Sequence, residues 1–261
     1  MQVQVNGIKL GVEKLGQGTP VVLIHGFPLT RAMWRPQMDA LRDRFTFIAP
    51  DLRGFGESAG PTDDVTMDAY AEDVIGLLDA LEVERVALVG CSMGGYVAFR
   101  VMARAAPRIR ALVMADSRAG PDSAEARERR YAAVRRIQTE GPEGFVNDFT
   151  SQLVGPTTKA RRPAVVDEVR RIIGTPPPSS LAAALNALAA RPDSRPLLPS
   201  ISAPTLAIVG EEDTLTPPDA AREIATGVPA GRLVIIPQAG HLSNLEAPDA
   251  FNEALLGFLS E

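Results

Sequence analysis

A glycine-x-serine-x-glycine motif at residues 90–94 constrains the fold of this chain more than any other feature of its sequence. An apolar run at residues 86–89 precedes the motif, and apolar residues at helical spacing follow it. A serine between a buried strand and a helix occupies a tight, strained turn that holds its hydroxyl clear of the backbone. The following helix directs partial positive charge toward an anion that forms at the serine. The motif therefore predicts an α/β sheet and makes Ser92 a candidate nucleophile.

A serine hydroxyl needs a base to take its proton, and the chain contains two histidines, His25 and His241. His25 ends a strand signal and begins the loop at residues 25–28, where we expect it to shape the loop rather than to transfer protons. His241 follows the last strand signal, and Gly240 before it allows a sharp turn that presents the imidazole. A helix-capping or surface position is the alternative for His241. Because a nucleophilic serine requires a base, we predict that His241 is catalytic.

The acid that orients this imidazole has several candidates. Asp213 lies in the loop after the strand signal at residues 205–209, and it gives the chain order serine, acid, histidine that an α/β arrangement expects. Asp116 also ends a strand signal, and Glu211 and Glu212 stand beside Asp213. A solvated loop is the alternative for each carboxylate. The chain order favours Asp213, with Asp116 as its main rival.

An oxyanion that forms during acyl transfer needs backbone N–H groups already directed toward it. One should come from Met93, directly after the nucleophile, and the other from Phe27 in the loop after the first parallel strand. The position of these residues, rather than the identity of their side chains, predicts the oxyanion hole.

Short apolar runs alternate with longer amphipathic segments, which is typical of a parallel sheet covered by helices. We predict strands at residues 2–6, 8–14, 20–25, 45–49, 85–90, 110–115, 205–209 and 233–236. We predict helices at residues 66–81, 93–105, 123–138, 143–153, 158–173, 179–190, 217–227 and 248–260. Residues 118–195 lack a convincing strand signal. The sequence therefore predicts a core of residues 1–117 and 196–261 with a helical block, residues 118–195, inserted into it.

Charge and cysteine content exclude several classes of function. The formal net charge of −5 argues against nucleic acid as the main partner, because phosphate binding needs a basic surface. The single cysteine excludes an internal disulfide and a cysteine-based metal site. The N-terminus lacks a signal-peptide pattern, and no apolar run reaches the length of a membrane span. We expect a cytoplasmic protein without a cofactor, a metal or a membrane partner.

Five segments, in this order, resemble the serine-nucleophile branch of the α/β-hydrolase superfamily. They are residues 25–28, residues 51–58, the Ser92 motif, the Asp213 loop, and Gly240-His241 with residues 246–248. The resemblance covers nearly the whole chain. It implies a mostly parallel eight-stranded sheet flanked by helices, with a helical cap inserted after the sixth strand, and residues 118–195 fall at that place. It also gives residues 51–58 a structural role.

The resemblance also limits the chemistry. Within the superfamily, the chain is most similar to small carboxylesterases and enol-lactonases. This similarity implies that the substrate is a small-molecule ester or lactone. A carboxylic ester would be cleaved through a serine–histidine–aspartate triad and an acyl-enzyme. Lactone hydrolysis, C–C bond hydrolysis, perhydrolysis and ligand binding without turnover are the alternatives. Serine at position 92 argues against epoxide hydrolases and haloalkane dehalogenases, which use an aspartate nucleophile.

Two residues near the motifs have open roles. Trp34 follows the predicted oxyanion loop, where it could line a substrate pocket or anchor the first helix against the sheet. Cys91 precedes the nucleophile, and a lone buried thiol beside it is expected to pack rather than to react.

The predicted helical block is rich in arginine. A solvated face with salt bridges is the favoured interpretation, since glutamates stand at helical spacing among them. The alternative is that one or two arginines point inward and bind a substrate carboxylate. The residues are Arg127, Arg129, Arg130, Arg135, Arg136, Arg161, Arg162, Arg170 and Arg171.

Overall fold

One eight-stranded sheet forms the centre of the molecule, in a computed structural model that describes residues 1–58 and 65–261. The strands are β1 (Gln2–Val5), β2 (Ile8–Gly16), β3 (Thr19–Ile24), β4 (Phe45–Pro50), β5 (Val86–Cys91), β6 (Ile109–Ala115), β7 (Thr205–Gly210) and β8 (Gly231–Ile236). Their order in the sheet is β1-β2-β4-β3-β5-β6-β7-β8. The β1–β2 and β2–β4 pairs are antiparallel, and the other pairs are parallel. The predicted fold class is confirmed.

Helices cover the sheet and account for most of the remaining chain. They are α1 (Arg35–Leu41), α2 (Met67–Ala80), α3 (Met93–Ala105), α4 (Ala124–Glu140), α5 (Pro142–Leu153), α6 (Pro156–Arg161), α7 (Pro163–Ile173), α8 (Pro178–Ala189), α9 (Pro218–Gly227), α10 (Ser243–Glu246) and α11 (Pro248–Leu259). Within residues 1–58 and 65–261, no helix is both long enough and apolar enough to span a membrane.

The central strands are buried on both faces, which explains their nearly continuous apolar sequences. Successive residues of a strand point to opposite faces, so β3 contributes to two separate cores. Val22 and Ile24 join the core that includes α2, α3 and α9, whereas Val21 and Leu23 join the core that includes α1 and α11. Strands β3 to β8 run parallel to one another, so their carboxyl ends lie at one edge of the sheet, where the loops that follow them meet.

Helices α4 to α8 lie between β6 and β7, at the predicted place of the insertion. Helix α4 packs against both α5 and α8. The division into a core (residues 1–117 and 196–261) and a separate cap (residues 118–195) stays a prediction.

The single helix predicted at residues 158–173 is wrong, because the chain forms α6 and α7 there. Arg162 lies between them with φ −137° and ψ 56°, outside the helical region. Pro163 causes the break, since it lacks an N–H and disfavours helical backbone at the residue before it. The Arg162 side chain then donates to the backbone oxygens of Gln238 (2.8 Å) and Glu246, which attaches the insertion to the segment after β8.

Candidate active site

Ser92 occupies the turn between β5 and α3 in a strained conformation, with φ 50° and ψ −112°. Its N–H donates to the Ala115 carbonyl oxygen at 2.9 Å, which holds the turn against β6. A Cβ atom on Gly90 would lie 2.4 Å from the Gly94 oxygen, and one on Gly94 would lie 2.3 Å from the Ile24 oxygen. Only glycine fits at these two positions, so the motif follows from the close approach of backbone to backbone.

Three predicted residues from three loops meet in one line of hydrogen bonds. Ser92 Oγ lies 2.8 Å from His241 Nε2, and His241 Nδ1 lies 2.8 Å from Asp213 Oδ2. Ser92 follows β5, Asp213 follows β7 and His241 follows β8, so the parallel strand ends bring them together. His241 and Asp213 are each about 3% exposed, whereas Ser92 is half-buried. Ser92 is thus the most exposed residue of the three.

The loop after β7 supports Asp213 with hydrogen bonds to both carboxylate oxygens. The N–H groups of Leu215 and Thr216 donate to Oδ1 at 2.8 and 2.9 Å. Thr216 Oγ1 donates to Oδ2 at 2.6 Å and lies 3.1 Å from His241 Nδ1. Thr216 was missed in the sequence, where a threonine three residues after an aspartate carries no distinctive signal.

The charges of this pair favour an ion pair when the imidazole is protonated. Burial opposes the charged form of Asp213, but His241 and the bonds from His241 and Thr216 outweigh it and lower the pKa of Asp213. Burial also opposes the charged form of His241 and by itself would lower its pKa. The Asp213 carboxylate outweighs this effect, so the pKa of His241 rises above its usual value of 6.5. The nearby positive charge of Arg118 has a smaller, lowering effect on the same pKa.

Asp116, the rival acid, bonds to other partners. Its carboxylate accepts hydrogen bonds from Gly210 N–H (2.9 Å), Ser243 N–H (3.0 Å) and Ser243 Oγ (2.7 Å). Burial, with a further contribution from the Asp213 charge, raises the pKa of Asp116 to about 8. Glu211 and Glu212 accept hydrogen bonds from the N–H groups of Gln238 and Thr157 rather than from His241. Among the four candidate carboxylates, the structure brings Asp213 alone into hydrogen-bond contact with His241 within the described residues.

A buried glutamate holds the loop that carries His241. Glu246 Oε1 accepts hydrogen bonds from Gly240 N–H at 2.9 Å and Leu242 N–H at 3.2 Å, on either side of the histidine. Its Oε2 accepts one from Gly155 N–H at 2.8 Å, between α5 and α6. The position of the imidazole is therefore fixed by both the sheet and the inserted helices.

His25 lies in the loop after β3 and has the structural environment that its position predicts. Its Nε2 accepts a hydrogen bond from Leu52 N–H at 2.9 Å, and Nδ1 donates to the Gly26 carbonyl oxygen at 2.9 Å. Burial lowers the pKa of His25, which keeps the ring neutral. The ring thus joins the loop after β3 to the segment after β4.

A cavity of about 510 Å³ opens above Ser92 and His241. Phe27 and Met93, the residues predicted to form the oxyanion hole, also line it. Met93 begins α3, and the first N–H groups of a helix have no acceptor within that helix. Helices α4, α5 and α8 supply the opposite wall.

The wall of the cavity combines an aromatic cluster with charged groups. Phe27, Phe145 and Phe149 contact one another, with ring centroids 5.5 to 6.2 Å apart. The charged residues of the wall are Arg118, Asp122, Arg129 and Arg130. The position of Arg118, just after a strand end, was an available signal that the sequence reasoning missed, whereas nothing in the helical pattern marks Phe145 and Phe149.

Trp34 and Cys91 lie away from the cavity. Trp34 is completely buried, and its ring centroid lies 6.1 Å from that of Phe251 in α11. It is not among the residues that line the cavity, so its position fits the anchoring role rather than a substrate contact. Cys91 is fully buried, and burial raises the pKa of its thiol well above the usual range, which suppresses the reactive thiolate.

The predicted arginine-rich face divides into two groups. Arg136, Arg170 and Arg171 form surface ion pairs with nearby carboxylates, as the favoured interpretation expects. Arg129 and Arg130 line the cavity, where Arg130 also pairs with Asp122. Across the part of the chain that the structure describes, no cluster of histidine, cysteine, aspartate or glutamate side chains has the arrangement of a metal site.

Comparisons with known proteins agree with this geometry. The alpha/beta hydrolase fold family matches residues 19–248. An esterase from Thermogutta terrifontis, solved with malate bound, is 40% identical with a TM-score of 0.95, over 100% of this chain and 97% of that one. The enol-lactonase from Burkholderia xenovorans is 30% identical with a TM-score of 0.93, over the whole of both chains. The 3-oxoadipate enol-lactonase 1 of Acinetobacter baylyi is 27% identical over 99% of this chain and 92% of its own.

Proposed function

The chain belongs to the alpha/beta hydrolase fold family, and from that premise we propose that it cleaves a carboxylic ester of a small molecule by serine catalysis. The protein is a hydrolase of ester bonds. The observation that carries the mechanism is the line of hydrogen bonds from Ser92 through His241 to Asp213, which opens on the cavity.

Ser92 is the proposed nucleophile. Its oxygen attacks the ester carbonyl carbon while His241 Nε2 accepts the hydroxyl proton. Asp213 stays ionised and stabilises the imidazolium, which agrees with the lowered pKa of Asp213 and the raised pKa of His241. The tetrahedral intermediate then collapses, and His241 returns the proton to the departing alcohol.

Water completes the reaction by the same route. His241 takes a proton from a water molecule, whose oxygen attacks the acyl-enzyme carbonyl, and the acid leaves as Ser92 regains its proton. The N–H groups of Phe27 and Met93 are the proposed oxyanion hole. A donor of this kind is worth on the order of 10²–10³ in rate.

We propose that residues 118–195 act as a cap over this site. Their helices α4, α5 and α8 supply one wall of the cavity, and Glu246 ties the start of α6 to the His241 loop. A cavity of about 510 Å³ suits a small molecule. The cytoplasmic location stays a prediction.

A lactone is the second candidate substrate, because two enol-lactonases align with nearly the whole chain. A lactone is a cyclic ester, so the same triad would open it and the alcohol would stay attached to the acyl product.

Hydrolysis of short aryl esters by the wild type and by Ser92→Ala tests the proposal. We expect the substitution to reduce kcat by at least about 10³-fold, since the attacking oxygen is removed. Ser202→Ala is the matched control, because Ser202 is exposed and does not line the cavity. Full activity of Ser92→Ala would contradict the proposal. A wild type that binds esters without turnover would indicate a receptor. A substrate panel that adds lactones and diketones, together with a perhydrolysis assay, identifies the bond that is cleaved.

A further inference from the structure

The charged residues of the cavity do not balance one another. Asp122 is the only acid among the four charged residues of its wall within the described chain. Asp122 is shared by two arginines, Arg130 and the buried Arg191. Arg118 and Arg129 have no carboxylate within 4.0 Å among residues 1–58 and 65–261. The cavity is therefore positive in a protein whose formal net charge is −5.

Of the two arginines without a carboxylate partner, Arg118 is the less exposed, since it is half-buried whereas Arg129 is exposed. One Nη group of Arg118 donates to the carbonyl oxygen of Leu215, in the loop that carries Asp213. Its Nε is buried and has no hydrogen-bond partner in the described structure. A buried donor without a partner is unfavourable. Arg110 and Arg191 also have such a donor, but of these three arginines only Arg118 lines the cavity within the described residues.

The chain position of Arg118 places it beside the reacting group. Ser117, the residue before it, donates its hydroxyl to the carbonyl oxygen of Ser92 at 3.0 Å. Asp116, one residue earlier, bonds to the loops that carry Asp213 and His241. The two residues before Arg118 are thus hydrogen-bonded to Ser92 itself and to the segments that carry Asp213 and His241, which fixes the position of the Arg118 backbone.

We infer that Arg118 binds a carboxylate of the substrate, so that the ester cleaved is a half-ester of a short dicarboxylic acid. A guanidinium presents planar, paired donors that match the two oxygens of a carboxylate. The cluster of Phe27, Phe145 and Phe149 offers the remaining part of the substrate an apolar surface. Arg129 adds positive potential at the same cavity. This inference rests on the proposed esterase function.

Matched substrate pairs test the inference. Monoethyl succinate is compared with ethyl 4-methylpentanoate, in which an isopropyl group replaces the carboxylate, and monoethyl glutarate with ethyl 5-methylhexanoate. We expect the wild type to prefer each half-ester by at least tenfold in kcat/KM. In Arg118→Met, the ratio of half-ester to neutral ester should fall at least tenfold. Arg118→Lys keeps the charge without the paired donors and should give an intermediate ratio. Because the ratio compares two substrates of the same variant, a general loss of activity lowers both values of kcat/KM and cancels.

Arg127→Met is the control, because Arg127 is an exposed arginine of α4 that does not line the cavity. Its ratio should equal that of the wild type. Inhibition of neutral-ester hydrolysis by free glutarate gives a second readout, with an inhibition constant that rises at least tenfold in Arg118→Met. A wild type that prefers neutral esters, or a ratio unchanged by Arg118→Met, would overturn the inference and leave the esterase function intact. Absence of all ester hydrolysis would instead contradict the proposed function.

Discussion

The loops after β6 and β7 each place a buried aspartate at a neighbouring strand end, yet the two carboxylates have different environments. Asp213 bonds to His241 at 2.8 Å, and its pKa is lowered by that contact in spite of burial. Asp116 bonds to Gly210 and Ser243, and burial raises its pKa to about 8. The N–H groups of Gly210, at the end of β7, and of Ser243, after β8, donate to Asp116. This carboxylate is therefore a brace, a structural link between the segments that carry Asp213 and His241. The comparison shows that the partner, rather than the strand-end position, distinguishes the two carboxylates, and it supports Asp213 as the proposed acid.

Asp213→Asn gives the largest expected effect. The amide cannot hold His241 in the tautomer that accepts the Ser92 proton, so kcat should fall by about 10⁴-fold. Steady-state kinetics on an aryl ester measures the loss, and circular dichroism checks that the fold is kept. A loss of less than about tenfold would transfer the role of the acid to another residue, with Asp116 first.

The pH dependence of stability separates the two carboxylates further. The pKa of Asp116 is raised to about 8 in the folded state, so between about pH 4 and 8 the folded protein holds a proton that the unfolded chain has released. Stability from Asp116 is then lost as the pH rises, by up to about 1.4 kcal/mol per pH unit. Asp116→Asn removes this dependence.

Urea unfolding at pH 5, 6, 7 and 8 checks this expectation. The free energy of unfolding of Asp116→Asn, relative to the wild type, should increase with pH. For Asp213 the sign is opposite: its lowered pKa contributes stability that is present near neutral pH and is lost as the pH falls through the folded-state pKa. A constant difference between Asp116→Asn and the wild type would show that Asp116 is ionised throughout.

The effect of Asp116→Asn on kcat should be much smaller than that of Asp213→Asn. At pH 7 Asp116 is mostly neutral because its pKa is about 8, so the amide replaces a neutral acid of nearly the same shape and at most one of the bonds to Gly210 or Ser243 is lost. We expect kcat to fall by less than about tenfold, measured at pH 7 on the same ester as for Asp213→Asn. A loss as large as that of Asp213→Asn would remove the distinction between acid and brace.

The sequence predicts the sheet well because strands such as β5 and β6 are buried on both faces and contain long apolar runs. Helix boundaries within the insertion were less predictable. Apolar spacing continues across residues 158–173 and favoured a single helix, although Pro163, which disfavours helical backbone at Arg162, was an available signal for the break. Short helices such as α1 and α10 have too few turns to show a periodic pattern.

The proposed triad could be predicted because Ser92 has a local motif and, of the two histidines, only His241 suited the role of base. The choice between Asp213 and Asp116 depends on a contact between loops far apart in sequence, and spacing alone leaves both open. The direction of a side chain is equally absent from the pattern. Trp34 packs against Phe251, whereas Arg118, which follows the end of β6, lines the cavity.

The rate of labelling at Ser92 by a fluorophosphonate, followed by mass spectrometry of the intact protein and its peptides, is the most direct test of whether Ser92 is an activated nucleophile. Such a reagent reacts with a serine only when the hydroxyl is activated by a base. We expect one adduct on Ser92 in the wild type, none in Ser92→Ala, strongly slowed labelling in Asp213→Asn, and nearly wild-type labelling in Asp116→Asn. An unlabelled wild type, an adduct that persists in Ser92→Ala, or equal slowing in both aspartate variants would contradict this expectation.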